Sequence, residues 1–492
     1  MLEPARLHET HVSVVVELGD RVYKLKKRVR MDFLDFRTRE AREAVCHREV
    51  ELNRRLASDV YLGVADVHGP DGRVCDHLVV MRRLPADRRL ARLVEDGADV
   101  DDQLRAVART VATFHAAGRR SPEIARAGAI DRVRRNWEDG FETLDPFGGT
   151  TLDTHVLRRA SALVAEYLDG RKPLFGDRVN RGEIVDGHGD LRCEDIFCLD
   201  DGPRILDCIE FDDELRYVDV VSDVAFLAMD LEQLGGPEPA SRFLGWYREL
   251  SGEACPRSLV DHYVAYRAQI RSKVECIRAA QGDPKAAERA RALLALTREH
   301  LERSRVPLVL VGGLPGTGKT TVARGLADRL GWSVLRSDEI RKDLLGVAHT
   351  TRLAGDFGEG AYDDATTATV YGEMLRRASR LLSMGEPVVL DASWTDRRRR
   401  DEAAEVAAGA TSPLVAVRCE APPTITHARL VERAAGELDA SDASPAIAGA
   451  MAARADPWPS SIRIDTRLDP EGAVTAACRT VTTRLRAEPA VR

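Results

Sequence analysis

The spacing of apolar and polar residues changes period several times along the chain, and each change predicts an element. Residues 11–18 and 21–26 alternate with period two on either side of Gly19-Asp20, which predicts a β-hairpin. On its second strand Lys24 and Lys26 share a face, because side chains alternate along a strand. Residues 38–56 switch to a helical period, with Ala44, Val45, Leu52 and Leu56 as a partial apolar stripe and Glu49 near the end. The run Leu78-Val79-Val80-Met81 predicts a buried strand, and a polar, proline-containing stretch, 82–88, follows it. Leu104, Val107, Val111 and Phe114 then stand at helical spacing, ending at His115-Ala116-Ala117-Gly118. Residues 119–180 are helical and polar. Residues 184–197 and 203–212 predict a second hairpin. Helices fill 240–303, broken at Gln281-Gly282-Asp283-Pro284, with a charged helix at 285–303.

Beyond Pro307 the grammar differs. Short continuous apolar runs (309–311, 333–335, 386–392 and 413–418) alternate with helical patterns such as Val322, Ala323, Leu326 and Leu330. That predicts a doubly wound parallel sheet. The expectation is a multi-domain α/β chain with domains at 1–303 and 304–492.

Composition narrows the class. The chain of 492 residues is 44% hydrophobic and 31% charged, which fits two to four soluble domains. A formal net charge of −7 gives no general attraction to nucleic acid, although a local basic groove stays open. The nine cysteines include no C-x-x-C pair, so neither a zinc site nor a disulfide framework is expected, and an odd count fits a reducing cytosol. Met1-Leu2-Glu3-Pro4 has no basic-then-apolar signal, and no apolar run approaches the ~18 residues of a membrane helix. No membrane partner and a cytoplasmic setting are the expectations; nothing in the sequence sets an oligomeric state.

Two places carry chemistry. Gly313, Gly318, Lys319 and Thr320 fit G-x-x-x-x-G-K-T between a strand and a helix. Glycines let backbone N–H groups close on phosphate oxygens, and the helix N-terminus adds about half a positive charge. The expected cradle is Gly313, Gly316, Thr317, Gly318, Lys319, Thr320 and Thr321, with Lys319 on the β/γ-phosphates and the Thr320 hydroxyl on Mg²⁺. Two later strands deliver Asp338 and Asp391 to the edge where a parallel sheet binds ligands, Asp391 in the position that orders water on Mg²⁺. The second place is His188-Gly189-Asp190-Leu191, with Asp195 and Asp207 following. Asp190 could take a proton from a hydroxyl, and Asp195 and Asp207 could hold Mg²⁺; the plainer alternative is that these carboxylates mark turns.

His188-Gly189-Asp190-Leu191, Ile205-Leu206-Asp207 and Asp219-Val220-Val221-Ser222-Asp223 resemble the aminoglycoside phosphotransferase-like kinases, small-molecule kinases with a protein-kinase-like, two-lobed α+β fold. The resemblance implies that Lys24 binds the α/β-phosphates and pairs with Glu49. It makes Met81 to Leu84 the adenine hinge, Asp190 the catalytic aspartate and Asp207 the main Mg²⁺ ligand. Lys26 is the alternative to Lys24. Two departures stand out: Asp195 replaces the asparagine usual in the family, and Glu9-Thr10-His11-Val12-Ser13 stands where a glycine-rich loop would be.

Ser337-Asp338-Glu339-Ile340-Arg341 is similar to the P-loop kinases of the zeta-toxin, gluconate-kinase and polynucleotide-kinase group. That resemblance implies Asp338 as proton acceptor, Arg341 on the acceptor molecule and lid arginines, of which Arg429 and Arg433 are chosen; 397–400 is expected to be a solvated helix face. The fused order is similar to bacterial bifunctional phosphotransferase/ATP-binding proteins. The implied activity is transfer from ATP with Mg²⁺ to hydroxyls of small molecules. A regulatory pseudokinase in the first half and polynucleotide 5′-kinase activity in the second are alternatives. Arg267, Arg271 and Lys273 could touch an anionic substrate, but a solvated helix face is the expectation. Specificity is expected within 119–180 and 345–375, where Trp137, Tyr362 and Tyr371 line pockets or fill cores.

Overall fold

The computed structural model describes every residue except 1–4, 10–11, 32–33, 352–359, 436–443, 468 and 488–492; the side chains of 31, 34 and 433–435 also lie outside the described residues. The chain forms two compact units. One comprises 1–157, 175–255 and 260–297, the other 298–492 with the short segments 158–174 and 256–259.

The first unit opens on a five-stranded antiparallel sheet in the order Arg6–Glu9, Ser13–Leu18, Arg21–Lys26, Val74–Arg82, Tyr61–His68. The expected hairpin sets Val15 opposite Lys24, and Lys24 in turn opposite Val79. Helix Arg39–Asn53 starts where the Thr38 hydroxyl accepts a hydrogen bond from the Ala41 N–H, a cap worth about 1 kcal/mol. Cys46 and Val50 of that helix join Tyr61, Val79 and Met81 in one apolar cluster. The Tyr61–His68 strand escapes a pattern reading because its register shifts between Tyr61 and Gly63, which breaks the alternation. The predicted second hairpin resolves into two ribbons. Ile196–Leu199 pairs with Gly202–Ile205, whereas Ile184–Asp186 pairs with Tyr217–Asp219. Residues 206–212 therefore leave the sheet as a loop.

Helices make up the rest of this unit, among them Asp101–Ala117, Ile130–Leu144, Val220–Gly235 and Arg257–Ala280. Trp137 is core, 1% exposed, and its indole N–H donates to Nε2 of His262 (3.1 Å). Burial holds the His262 pKa down to about 3. Because the folded value lies below the unfolded ~6.5, stability from this site is present above pH ~6.5 and is lost as pH falls from there toward 3. Buried His188 shifts in the same direction. Thermal unfolding midpoints should therefore fall below pH ~6.5, and His262→Gln should flatten that slope; an unchanged slope would contradict the assignment.

The second unit is a five-stranded, wholly parallel sheet ordered Ser333–Arg336, Val388–Asp391, Leu308–Gly312, Leu414–Glu420, Ile462–Asp465. Leu308–Gly312 is central and buried at every position, which explains its unbroken apolar run. Val309, Val311, Leu326, Val389 and Val417 form its core. The strand order reverses on either side of Leu308–Gly312, so a crevice opens past its C-terminal end. The strand expected to deliver Asp338 at its C-terminal end is Ser333–Arg336, and Asp338 sits past it, in the first turn of helix Ser337–Leu345. Both architectures are those expected, a mixed α/β chain.

Candidate active sites

In the first unit the sheet face and helix Arg39–Asn53 bring together charges far apart in sequence. Lys24 Nζ lies 2.9 Å from Glu49 Oε1 and 2.7 Å from Asp207 Oδ1. Lys26, on the same face, lies 2.7 Å from the other Glu49 oxygen and also pairs with Glu210. Both lysines thus meet Glu49, but only Lys24 reaches Asp207. Burial works against the Lys24 ammonium; Asp207 and Glu49 outweigh it and hold its pKa well above the ordinary value. Lys24 in turn, against burial, holds the Asp207 carboxyl well below the usual range.

Asp207 has φ 63, a left-handed backbone that non-glycine residues seldom adopt. It is held there from both sides, for its N–H donates to the Tyr61 hydroxyl (3.3 Å) and the next N–H, of Cys208, donates to Asn53 Oδ1 (2.9 Å). The Leu206 N–H donates to the Asp195 carbonyl (2.9 Å), setting Asp195 and Asp207 side by side. Arg192, which pattern reading did not single out, stands 3.3 Å from Asp190 and 3.0 Å from Asp195 and also pairs with Glu194. Its signal was its place two residues after Asp190. Burial pushes the Asp195 carboxyl well up, Arg192 opposing and Asp207, Glu194 and Asp190 adding. A cation would relieve that crowding.

The loop carrying Asp190 is bolted to a buried aspartate. Asp223 accepts from the N–H groups of His188 (2.7 Å) and Gly189 (2.9 Å) and lies 3.1 Å from His115 Nε2. Burial opposes ionisation of Asp223, but His115 and its neighbours win and hold it far below the carboxylate range. Gly189 has φ 86, and a Cβ there would lie 2.8 Å from the Leu215 carbonyl oxygen. Met81 and Leu84 belong to the apolar cluster with Val22 and Leu206. In the segment 9–13, Thr10 and His11 lie outside the described residues.

In the second unit the turn between strand Leu308–Gly312 and helix Lys319–Leu330 carries positive φ at Gly313, Gly316 and Gly318. A Cβ on Gly313 would meet Thr317 Oγ1 at 2.6 Å and the Cys419 carbonyl at 2.7 Å, so only glycine fits. The Thr320 hydroxyl donates to Asp391 Oδ2 (2.8 Å), and Arg336 Nε lies 3.2 Å from that oxygen. Asp391 Oδ1 is buried with no hydrogen-bond partner among the described residues. Burial raises the Asp338 pKa, Asp391 adding and Lys319, Arg341 and Arg336 opposing, which sets all four within electrostatic reach of Asp338.

Arg341 donates to the Ala361 carbonyl (2.6 Å) and lies over the Tyr362 ring at 4.7 Å. Arg429 donates to the Thr466 carbonyl (2.8 Å) and lies 3.5 Å from that of Gly316, on a cavity of about 310 Å³ that also takes in Gly318 and Thr321. Arg433 is on the same helix, Pro423–Ala435, and its side chain is outside the described residues. In the run 397–400, Arg397 and Arg398 are solvated as expected, but Arg400 is buried and donates to the Trp394 and Pro457 carbonyls. Tyr371 fills core against Trp394.

Arg267, Arg271 and Lys273 depart from expectation. They do not form a solvated face but line, with Asp190, a cavity of about 510 Å³. Helical spacing gives their common element and not what packs beside it.

Among the described residues no three His, Cys, Asp or Glu side chains converge to hold a metal alone, and no helix is long and apolar enough to cross a membrane. A cation held by one or two carboxylates together with phosphate oxygens is the usual Mg²⁺ arrangement. A lysine–glutamate pair beside an aspartate-bearing loop, and a phosphate cradle beside Asp391 at a strand end and Asp338 in a helix's first turn, define the class: a phosphotransferase with a protein-kinase-like unit and a P-loop kinase unit. Residues 308–458 match the family model described as an AAA domain. The chain is 44% identical over 460 residues to an uncharacterized protein of Mycobacterium tuberculosis, covering 94% of this chain and 92% of that one, and equally to its Mycobacterium bovis counterpart. It belongs to the family of those mycobacterial proteins. Among solved structures, a choline/ethanolamine kinase family protein from Mesorhizobium loti is 16% identical, with 61% of this chain and 92% of that chain covered and a TM-score of 0.36. A gluconokinase from Sinorhizobium meliloti is 18% identical, with 37% and 95% covered and a TM-score of 0.27.

Proposed function

We propose that the chain is a bifunctional ATP-dependent phosphotransferase of the cytoplasm, each unit (divided near residues 303 and 304) phosphorylating a hydroxyl of a small molecule. The observation that carries this reading is that each unit sets a lysine beside two or more carboxylates at one point of its fold. In the P-loop unit Lys319 and the loop N–H groups bind the β/γ-phosphates, Asp338 accepts the acceptor's proton, Arg341 orients the acceptor, and Arg429 and Arg433 close on the phosphates. In the first unit Lys24, oriented by Glu49, binds the α/β-phosphates, Met81 and Leu84 flank the adenine, and Asp190 accepts the proton. Thr320 with Asp391, and Asp195 with Asp207, would hold Mg²⁺, whose chemistry is to neutralise charge building on the phosphate oxygens. The buried, unpartnered Asp391 Oδ1 and the crowded Asp195 fit such an ion.

A regulatory role for the first unit draws on Asp195, an extra negative charge where the related kinases carry a neutral amide. Asp190→Asn and Lys319→Ala, made separately in the full chain, decide between the readings. Each should remove one acceptor-dependent activity, by about 10²–10⁴-fold for Asp190→Asn, and leave the other. If Asp190→Asn loses nothing across sugars, amino sugars, sugar acids and nucleosides, the first unit is regulatory.

A further inference from the structure

The cavity beside Asp190 has a charge pattern that names its occupant. Three of its cations, Arg267, Arg271 and Lys273, come from helix Arg257–Ala280. Arg267 is 5% exposed and spends its hydrogen bonds on the carbonyls of Ser222 (3.0 Å) and Gly189 (3.1 Å), with Nη2 left unpartnered. Arg271 comes no closer than 3.8 Å to Glu275, and that carboxylate already pairs with Arg278 (2.9 Å) and Arg289 (2.7 Å). Lys273 is half-buried and has no hydrogen-bond or ion-pair partner among the described residues. Burial lowers the pKa of Lys273, Asp139 opposing; burial and Arg192 lower that of Arg271, Asp190 opposing. Both cations are short of counter-charge.

The carboxylates on the same wall are mostly spent. Glu214 pairs with Arg132 (2.8 Å), Asp219 with Arg178 (2.7 Å), and Asp190 shares Arg192. Asp212 remains, accepting the Glu214 N–H (2.9 Å). A cationic acceptor in this cavity would sit against half-buried like charge, an arrangement that interfaces use to reject partners.

We propose that the acceptor of the first unit is an anionic hydroxy compound, its carboxylate or phosphate held by Lys273 and Arg271 while its hydroxyl faces Asp190. This rests on the phosphotransferase reading of that unit. The acceptor oxygen forms a bond to the γ-phosphorus as the bond to the β,γ-bridging oxygen breaks; ADP leaves, the hydroxyl proton passes to Asp190, and the product is a phosphate ester.

The test uses the full chain carrying Lys319→Ala, so that only the first unit turns over. Gluconate, glucuronate and a glucose phosphate are compared with glucose and glucosamine, by calorimetric binding and by ADP release. The expected result is that at least one anion binds and accepts phosphate while glucosamine does neither. Lys273→Met should then raise KM at least about tenfold with kcat little changed, and Lys273→Arg should restore it. Which anions respond separates carboxylate from phosphate recognition. Glucosamine or glucose bound as well as every anion, no anion bound, or Lys273→Met without effect would each overturn the proposal. Asp190-dependent transfer to glucosamine would sink it while leaving the kinase reading intact. Lys273-dependent anion binding with no transfer to any compound would sink the kinase reading, and the acceptor role with it, leaving only an anion-binding site.

Discussion

Asp338→Asn should slow phosphoryl transfer by the P-loop unit about 10²–10⁴-fold while nucleotide affinity stays within about threefold. Asparagine keeps the shape and removes the negative charge together with the ability to take a proton. The carboxylate sits where burial and Asp391 push its pKa up and Lys319, Arg341 and Arg336 restrain the rise. That balance moves a carboxylate toward neutral pH, where a general base works best. No protein hydrogen bond to Asp338 is required for the nucleotide cradle, which is built from the Gly313 to Thr320 turn and Asp391. Acceptor-dependent ADP release in a Lys24→Met background, with binding of a fluorescent ATP analogue alongside, separates the two effects. A loss of turnover under about fivefold would remove Asp338 from the chemistry.

How much of this could be read beforehand depended on whether the chemistry was local. The P-loop is contiguous, and each glycine answers a backbone need within the same turn, so Gly313 to Thr320 were legible as a unit. The Asp391 strand was legible because a central parallel strand is apolar on both faces. The choice between Lys24 and Lys26 was not legible. Period-two alternation puts both on one face, and only the depth of Glu49 and the path of the 206–212 loop separate them. Tyr61–His68 was hidden by a register shift, and Ile462–Asp465 by being four residues at the sheet edge. The Arg267, Arg271 and Lys273 group shows the other failure. A helix's charged stripe reads as solvated until what packs beside it is known, and here residues from 127–140, 189–190 and 209–219 line the same cavity.

The two lysines differ in what they are for, and that gives the second large effect. Lys26→Met should destabilise the first unit by about 3–5 kcal/mol, whereas Lys24→Met should leave it folded and abolish its nucleotide-dependent turnover. Lys26 is fully buried between Glu49, also fully buried, and Glu210, 8% exposed. Burial and Glu49 raise the Glu210 pKa, with Lys26 as the main opposing charge. Without Lys26, Glu49 keeps Lys24 at 2.9 Å, but Glu210 loses its ion-pair partner and is left buried facing a second carboxylate. Removing Lys24 is gentler on the fold, because Glu49 keeps Lys26, and Asp207, 45% exposed, can rehydrate. The loss falls instead on phosphate positioning. Urea unfolding and ATP turnover, both in the Lys319→Ala background, read the two outcomes separately. Equal stability losses from both variants would show the lysines to be one structural network. A Lys26→Met defect repaired by adding Glu49→Leu and Glu210→Leu would instead identify unpaired buried charge as its cause.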